Sequence, residues 1–181
     1  MCIRDRHVVV YGSKESIEKL MSRDDDFFEK DTDFASIHNE DLTDHNSYFE
    51  LIYGGENRAY NTNLIGDYNV ENIVAAIISS LLIGIPNDQI RSSIRDVYVP
   101  GRLQVYHWKD RTFMIDYAHN YISMYRLYEM VKKTMKPKSI TVVFGCGGER
   151  YKKRREDMGR LAEQYADTVS YTHLTLPTTP Y

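Results

Sequence analysis

Four short stretches and one isolated arginine carry residue types able to do chemistry. Asp116-Tyr117-Ala118-His119-Asn120 sets a carboxylate three positions ahead of an imidazole. Such a carboxylate can accept ribose hydroxyls, and the imidazole can face phosphate or metal. The same two residues can equally be a helix N-cap and a satisfied loop histidine, and position alone leaves both readings open. Gly145-Cys146-Gly147-Gly148-Glu149-Arg150 is a glycine loop whose successive N–H groups can form an anion nest. No Lys-Ser/Thr follows its glycines, so it is not a P-loop, and a plain strand-to-helix turn explains it as well. Arg150, Lys152, Lys153, Arg154 and Arg155 form a basic run that can be a solvated helix face or can hold a carboxylate or phosphate. Asn69-Val70-Glu71-Asn72 opens an apolar helix. Its amides can cap that helix or read the edge of a base such as adenine. Arg102 follows Pro100-Gly101, where it is either a surface arginine or a ligand contact. Cys146 has no upstream His-Asp set to activate it and reads as a small packing residue.

The elements that must position these residues follow from hydrophobic period and punctuation. His7–Tyr11 is a β-branched run. Ser13 caps a helix through Arg23 that ends at Asp24–Asp26. Phe34–His38, Tyr48–Tyr53 and Arg58–Ile65 read as antiparallel strands, with Gly54-Gly55 as the turn between the last two. Val70, Ile73, Val74, Ile77, Ile78, Leu81 and Leu82 obey the helical rule over Asn69–Ile83, and Gly84 stands at the C-cap. Pro86-Asn87 starts a helix to about Val97. Pro100-Gly101 is the strongest break and marks a domain boundary. Beyond it come a hairpin (Leu103–Trp108, turn Lys109-Asp110, Thr112–Ile115), a helix Ser123–Met135, a strand Ile140–Phe144, a helix Arg155–Tyr165 and a starting strand Ala166–Val169. Alternation of strand and helix implies an α/β unit in which Thr112–Ile115 and Ile140–Phe144 are parallel neighbours.

A net charge of −3 and a pI near 6.1 give no global basic field for nucleic acid. The longest apolar run, Ile73–Ile85, is broken by Ser79 and Ser80 and falls short of the roughly 18–20 residues of a membrane span. Two distant cysteines without metal spacing, and no signal-peptide pattern, suggest a reduced cytoplasmic protein. Residues 1–6 (MCIRDR) and 170–181 (SYTHLTLPTTPY) resemble translated adapter read-through and are expected to stand outside the fold.

Taken in order, Gly66-Asp67-Tyr68-Asn69-Val70-Glu71-Asn72, Ala75-Ala76, Gly84-Ile85, Val99-Pro100-Gly101-Arg102, Asp116-Tyr117-Ala118-His119-Asn120, Phe144–Arg150 and Met158-Gly159 resemble the Mur ligase family, in its tripeptide-forming branch. The resemblance runs from about His7 to Val169. It implies that residues 7–100 end a central ATPase domain and residues 101–169 begin a Rossmann-like C-terminal domain, with ATP between the two in such ligases. It implies that Asn69 and Asn72 lie at adenine, that Arg102 and Asp116 contact the nucleotide, and that His119 is the phosphate-proximal, catalytic histidine. Arg150 would hold the carboxylate of the incoming amino acid, a task suited to a bidentate fork. The implied reaction uses ATP and Mg²⁺ to activate the D-glutamyl carboxylate of UDP-N-acetylmuramoyl dipeptide as an acyl phosphate, which a diamino acid then attacks. The family's P-loop, modified lysine and main metal ligands lie upstream of the motifs present here. Tyr151 stands where the family usually has Asp, and Tyr121-Ile122 replaces a Pro-Asp-like pair.

Two rivals remain in view. One is another ligase of Mur type, such as a folylpolyglutamate synthase, which shares the Asp116–His119 set in kind. The other is a non-enzymatic nucleotide- or RNA-binding α/β module that would stack bases on its tyrosines beside the basic run, a design that needs one continuous basic, aromatic face.

Overall fold

The computed structural model describes residues 8–22, 32–146 and 153–173. The chain divides into two compact units, Met1–Val99 and Pro100–Tyr181.

In the first unit, the β-branched run forms β1 (Val8–Ser13), followed by α1 (Lys14–Met21) and β2 (Thr32–Leu42). β1 and β2 pair in parallel across α1, from Val8 opposite Thr32 to Ser13 opposite Ile37. Ser13 caps α1 as expected, its hydroxyl accepting the Ser16 N–H at 3.3 Å. β3 (Ser47–Tyr53) and β4 (Glu56–Thr62) extend the sheet antiparallel in the order β1-β2-β3-β4. Gly54 and Gly55 turn the β3–β4 hairpin with φ of 61° and 77°, a conformation that disfavours any side chain with a Cβ. β4 stops three residues earlier than the sequence suggests, because the Asn63 N–H leaves the ladder for the Arg95 carbonyl.

Alternation along the strands sends Ala35, Ile37, Phe49, Leu51 and Tyr60 to one face. They meet Val70, Ile73, Val74, Ile77 and Ile78 of α2 (Asp67–Leu82) and Ile90 of α3 (Asn87–Arg95). α2 ends in a Schellman motif: Gly84, at φ 83°, donates to the Leu81 carbonyl, and Ile85 donates to Ser80. The Tyr60 hydroxyl donates to Asn87 Oδ1 at 2.7 Å and ties β4 to α3.

In the second unit, β5 (Gln104–Trp108) and β6 (Arg111–Ile115) form the expected hairpin about Lys109-Asp110. α4 (Tyr121–Met130) starts two residues earlier than its period suggests, under a capping box made by Asn120 and Ser123. It runs into a π turn at Val131–Met135 and stops at Lys136, which is left-handed with φ 45°. β7 (Thr141–Cys146), α5 (Lys153–Tyr165) and β8 (Thr168–His173) then make a parallel strand–helix–strand unit. Met124, Tyr128, Cys146, Met158, Leu161 and Ala162 form its core. Cys146 is buried with its thiol 3.9 Å from the Met158 sulfur, the packing role read from the sequence.

Two expectations are corrected. Thr112–Ile115 and Ile140–Phe144 are not neighbours: β6 pairs with β5 and β7 with β8, in separate two-stranded sheets. Local geometry prevails, because a two-residue turn fixes β6 on β5 and the chain after Ile115 is bent away by hydrogen bonds to Asp116. Residue 170 is also no structural boundary. β8 runs through it to His173, pairing Ser170, Tyr171, Thr172 and His173 with Val143, Phe144, Gly145 and Cys146, and the Tyr171 ring lies 5.1 Å from that of Phe144. The β-branched and aromatic residues Thr168, Val169, Tyr171 and Thr172 favour a strand whatever their origin. Residues 1–6, Leu174 and Leu176 lie outside the described residues.

The β7–β8 pairing needs glycine at position 145, where an added Cβ would come within 2.7 Å of the Thr172 carbonyl oxygen. Gly145→Ala is expected to destabilise the second unit by about 1–3 kcal/mol. Amide exchange should rise in β7 and β8 while β2–β4 keep their protection. Tyr128 offers a change of opposite sign. It is 4% exposed and its hydroxyl has no hydrogen-bond partner among the described residues. Removing that hydroxyl by Tyr128→Phe is expected to raise stability at neutral pH by about 1 kcal/mol. Burial pushes the Tyr128 phenol up to about 12, so the folded chain holds this proton more tightly than the unfolded one. Stability is unaffected by this proton below the ordinary tyrosine value of about 10 and falls as pH climbs from there to about 12. Urea melts across that window should show a shallower alkaline loss in the variant.

Candidate functional site

Asp116 ends β6 half-buried, and its carboxylate does structural work on both sides. One oxygen accepts the Leu103 N–H at 2.9 Å and the other accepts the Ala118 N–H at 2.7 Å. The second bond is an Asx turn, which lifts the chain out of the strand. Asp116 is therefore not the N-cap of α4; Asn120 takes that role. Each carboxylate oxygen keeps acceptor capacity for a hydroxyl donor.

Across from it, Gly101 is left-handed at φ 70° and donates to Gln104 Oε1 at 2.8 Å. Leu103 is also left-handed, at φ 44°, and its side chain is 6% exposed. This tight path leaves Arg102 exposed, its guanidinium carbon 4.8 Å above the Tyr117 ring. The His119 ring lies 5.1 Å from the same ring, tilted by 55°. His119 Nδ1 is 3.0 Å from the Tyr117 carbonyl oxygen. A carbonyl only accepts, so Nδ1 carries the proton and Nε2 of the neutral ring is left as an acceptor. Ala118 packs against the Met124–Tyr128 core, so the stretch alternates between anchored and solvent-facing residues.

The structure thus brings Arg102, Asp116 and His119 together within the second unit. Asn69 and Asn72 belong to the first. Asn69 is not the cap of α2, because Gly66, at φ 91°, precedes the helix. It is 7% exposed, and its Nδ2 donates to the Ile65 carbonyl at 2.8 Å. Asn72, one turn on, is exposed. Arg150 lies outside the described residues, as do Gly147, Gly148 and Glu149. Of the basic run, Lys153 is exposed at the start of α5 while Arg154 and Arg155 are half-buried. Sequence reasoning gave Tyr117 no role. The available signal was an aromatic ring between a carboxylate and an imidazole, with an arginine upstream.

Elsewhere, Glu50 on the outer face of the first sheet accepts from Asn57, Asn39 and Tyr48 at 2.9, 3.0 and 3.2 Å. Those amide donors, Asn57 foremost, hold its carboxyl below the usual range. Among the described residues no three His, Cys, Asp or Glu side chains gather as a metal-binding set, and no helix is long and apolar enough to cross a membrane.

Removing the Asp116 carboxylate tests its double duty. Asp116→Ala is expected to cost about 1.5–3 kcal/mol, the range for hydrogen bonds to a charged group. Amide exchange should accelerate at Leu103 and Ala118. Asp116→Asn, which keeps one acceptor oxygen, should lose less.

Residues 101–180 match the family model of the Mur ligase glutamate ligase domain. The UDP-N-acetylmuramoyl-L-alanyl-D-glutamate–2,6-diaminopimelate ligase of Aquifex aeolicus is 34% identical over 165 residues, covering 91% of this chain and 30% of that protein. The UDP-N-acetylmuramyl-tripeptide synthetase of Limosilactobacillus reuteri is 36% identical over 142 residues, covering 73% of this chain and 28% of that protein. Among solved structures, a folylpolyglutamate synthase from Thermotoga maritima superposes with a TM-score of 0.66 at 19% identity, covering 92% of this chain and 38% of that one. The chain therefore spans less than a third of the length of these two relatives.

Proposed function

Residues 101–180 belong to the Mur ligase family as its glutamate ligase domain, and from that premise we propose that this chain is a segment of an ATP-dependent carbon–nitrogen ligase of peptidoglycan synthesis. The ligase adds a diamino acid, as the third residue, to UDP-N-acetylmuramoyl-L-alanyl-D-glutamate. The observation that carries this reading is the 34% identity running over 91% of the chain, through both units, to a ligase named for that dipeptide and 2,6-diaminopimelate. The enzyme works in the cytoplasm.

The side chains fit a nucleotide. Arg102 meets one aromatic face and keeps its N–H fork for anionic oxygens. His119 offers Nε2, and Asp116 keeps acceptor capacity for ribose hydroxyls. In this reading Asn69 and Asn72 serve the adenine end, and Arg150 holds the carboxylate of the incoming diamino acid. ATP, bound with Mg²⁺, supplies activation of the D-glutamyl carboxylate as an acyl phosphate. Phosphoryl transfer is mainly positioning and charge neutralisation, and the residues described here contribute the positioning share.

The 181 residues contain no P-loop sequence to cradle the β- and γ-phosphates. The expected outcome is that this chain alone shows no ligase turnover, while the full-length parent hydrolyses ATP only with UDP-N-acetylmuramoyl dipeptide and a diamino acid together. Turnover by the chain alone would contradict this division of labour. The fold likeness to a folylpolyglutamate synthase sustains one alternative. A parent that ignores the muramoyl dipeptide and extends a folate with glutamate would establish it instead.

A further inference from the structure

Arg102 and His119 share one neighbour, Tyr117, and among the described residues it is the only partner of either side chain. We propose that Tyr117 is a positioning residue, whose ring holds two groups in fixed directions toward a bound nucleotide: the Arg102 guanidinium toward an anionic group, and the accepting Nε2 of His119 toward a hydroxyl donor. This rests on the nucleotide reading given above.

Three observations carry it. First, a guanidinium stacked on a ring loses conformational freedom without using any of its five N–H donors. A carboxylate partner would orient the arginine equally well but would occupy the fork that an anionic ligand needs. Second, His119 is held twice by the same residue. Its Nδ1–H donates to the Tyr117 carbonyl, and its ring packs against the Tyr117 ring. The backbone bond selects the tautomer and the ring contact limits rotation, so Nε2 points one way. Third, Tyr117 is itself immobilised. Its neighbours are joined by the bond from the Ala118 N–H to Asp116, and Ala118 is packed into the core beside it. The ring is nonetheless 61% exposed. Burial does not explain an exposed aromatic ring fixed at its backbone and flanked by two basic side chains, whereas an orienting role does.

The test uses the isotope-labelled full-length parent, ADP as the probe, and two variants, Tyr117→Phe and Tyr117→Leu. In the free wild type, the Arg102 methylene protons should show an upfield ring-current shift and His119 should be protonated at Nδ1. Tyr117→Phe keeps the ring and should retain both signatures, with ADP affinity within about twofold of wild type. Tyr117→Leu should abolish the ring-current shift, mix the His119 tautomers and weaken ADP binding roughly three- to tenfold. Unchanged β7 and β8 amide shifts in the variants establish that the unit is still folded. A folded Tyr117→Leu chain with wild-type ADP affinity overturns the positioning role and leaves the nucleotide reading standing. A wild type that shows no saturable ADP-induced shift at Arg102 or His119 overturns both.

Discussion

Two backbone N–H groups converge on the Asp116 carboxylate, one from Leu103 and one from Ala118, and the directions of Arg102 and Tyr117 in the second unit depend on that convergence. The Leu103 bond closes a turn in which a leucine is held at φ 44°. A left-handed residue of this kind costs about 1–2 kcal/mol. A hydrogen bond to a charged acceptor returns about 1.5–3 kcal/mol, and burial of the Leu103 side chain adds to it. The strain is therefore offset locally. Its consequence is directional, because the residue between Gly101 and Leu103 has little choice of where to point. The Ala118 bond sets the other half of the site by ending β6 and turning Tyr117 outward. A single carboxylate thus aims Arg102 and the ring that Arg102 covers.

Elements whose information is local were legible in the sequence. The period of Val70, Ile73, Val74, Ile77 and Ile78 marked the core face of α2, and Gly84 its end, because a helix face and a left-handed stop depend on neighbours within a turn. Pro100-Gly101 marked the place where the chain divides. What sequence could not supply was the partner of β7. Ile140–Phe144 is apolar almost throughout, a pattern that signals a buried parallel strand without naming its neighbour, and the burial is not found: Val143 is 74% exposed, because β7 has only β8 beside it among the described strands. Pairing in parallel sheets is set by distant segments, and here β8 rather than β6 is that segment.

The candidate site divides in the same way. Asp116 and His119 were visible as a carboxylate and an imidazole three residues apart, but which readings applied depended on hydrogen bonds that no spacing encodes. Asp116 turned out not to cap α4, and among the described residues His119 is satisfied at one nitrogen only. Asn69 was read as either a helix cap or a base contact. Gly66 occupies the cap, which removes the first reading, and the Asn69 Nδ2 closes the turn at Ile65. Leu103 carried no signal at all, since nothing in a leucine announces a positive φ.

The tyrosines bear on the non-enzymatic alternative. A single-strand binding surface needs a row of ring faces open to bases, set along a basic groove. Along α4 and α5 four rings are turned on one another. Tyr121 stacks on Tyr125, Tyr125 meets Tyr165 edge-on, and Tyr165 stacks on Tyr128, with centroid separations of 6.4, 6.1 and 5.1 Å. Lys132 lies 4.5 Å over the Tyr165 ring, and the Tyr165 hydroxyl donates to Glu129 at 2.6 Å. Each contact consumes a face or an edge that a base would need, and Glu129 places a carboxylate among them. The seam joins α4 to α5 as a packing device. Among the described residues, the one tyrosine of this unit whose ring meets the arginine flagged from the sequence is Tyr117, and the guanidinium it holds is suited to anionic oxygens rather than to a succession of bases.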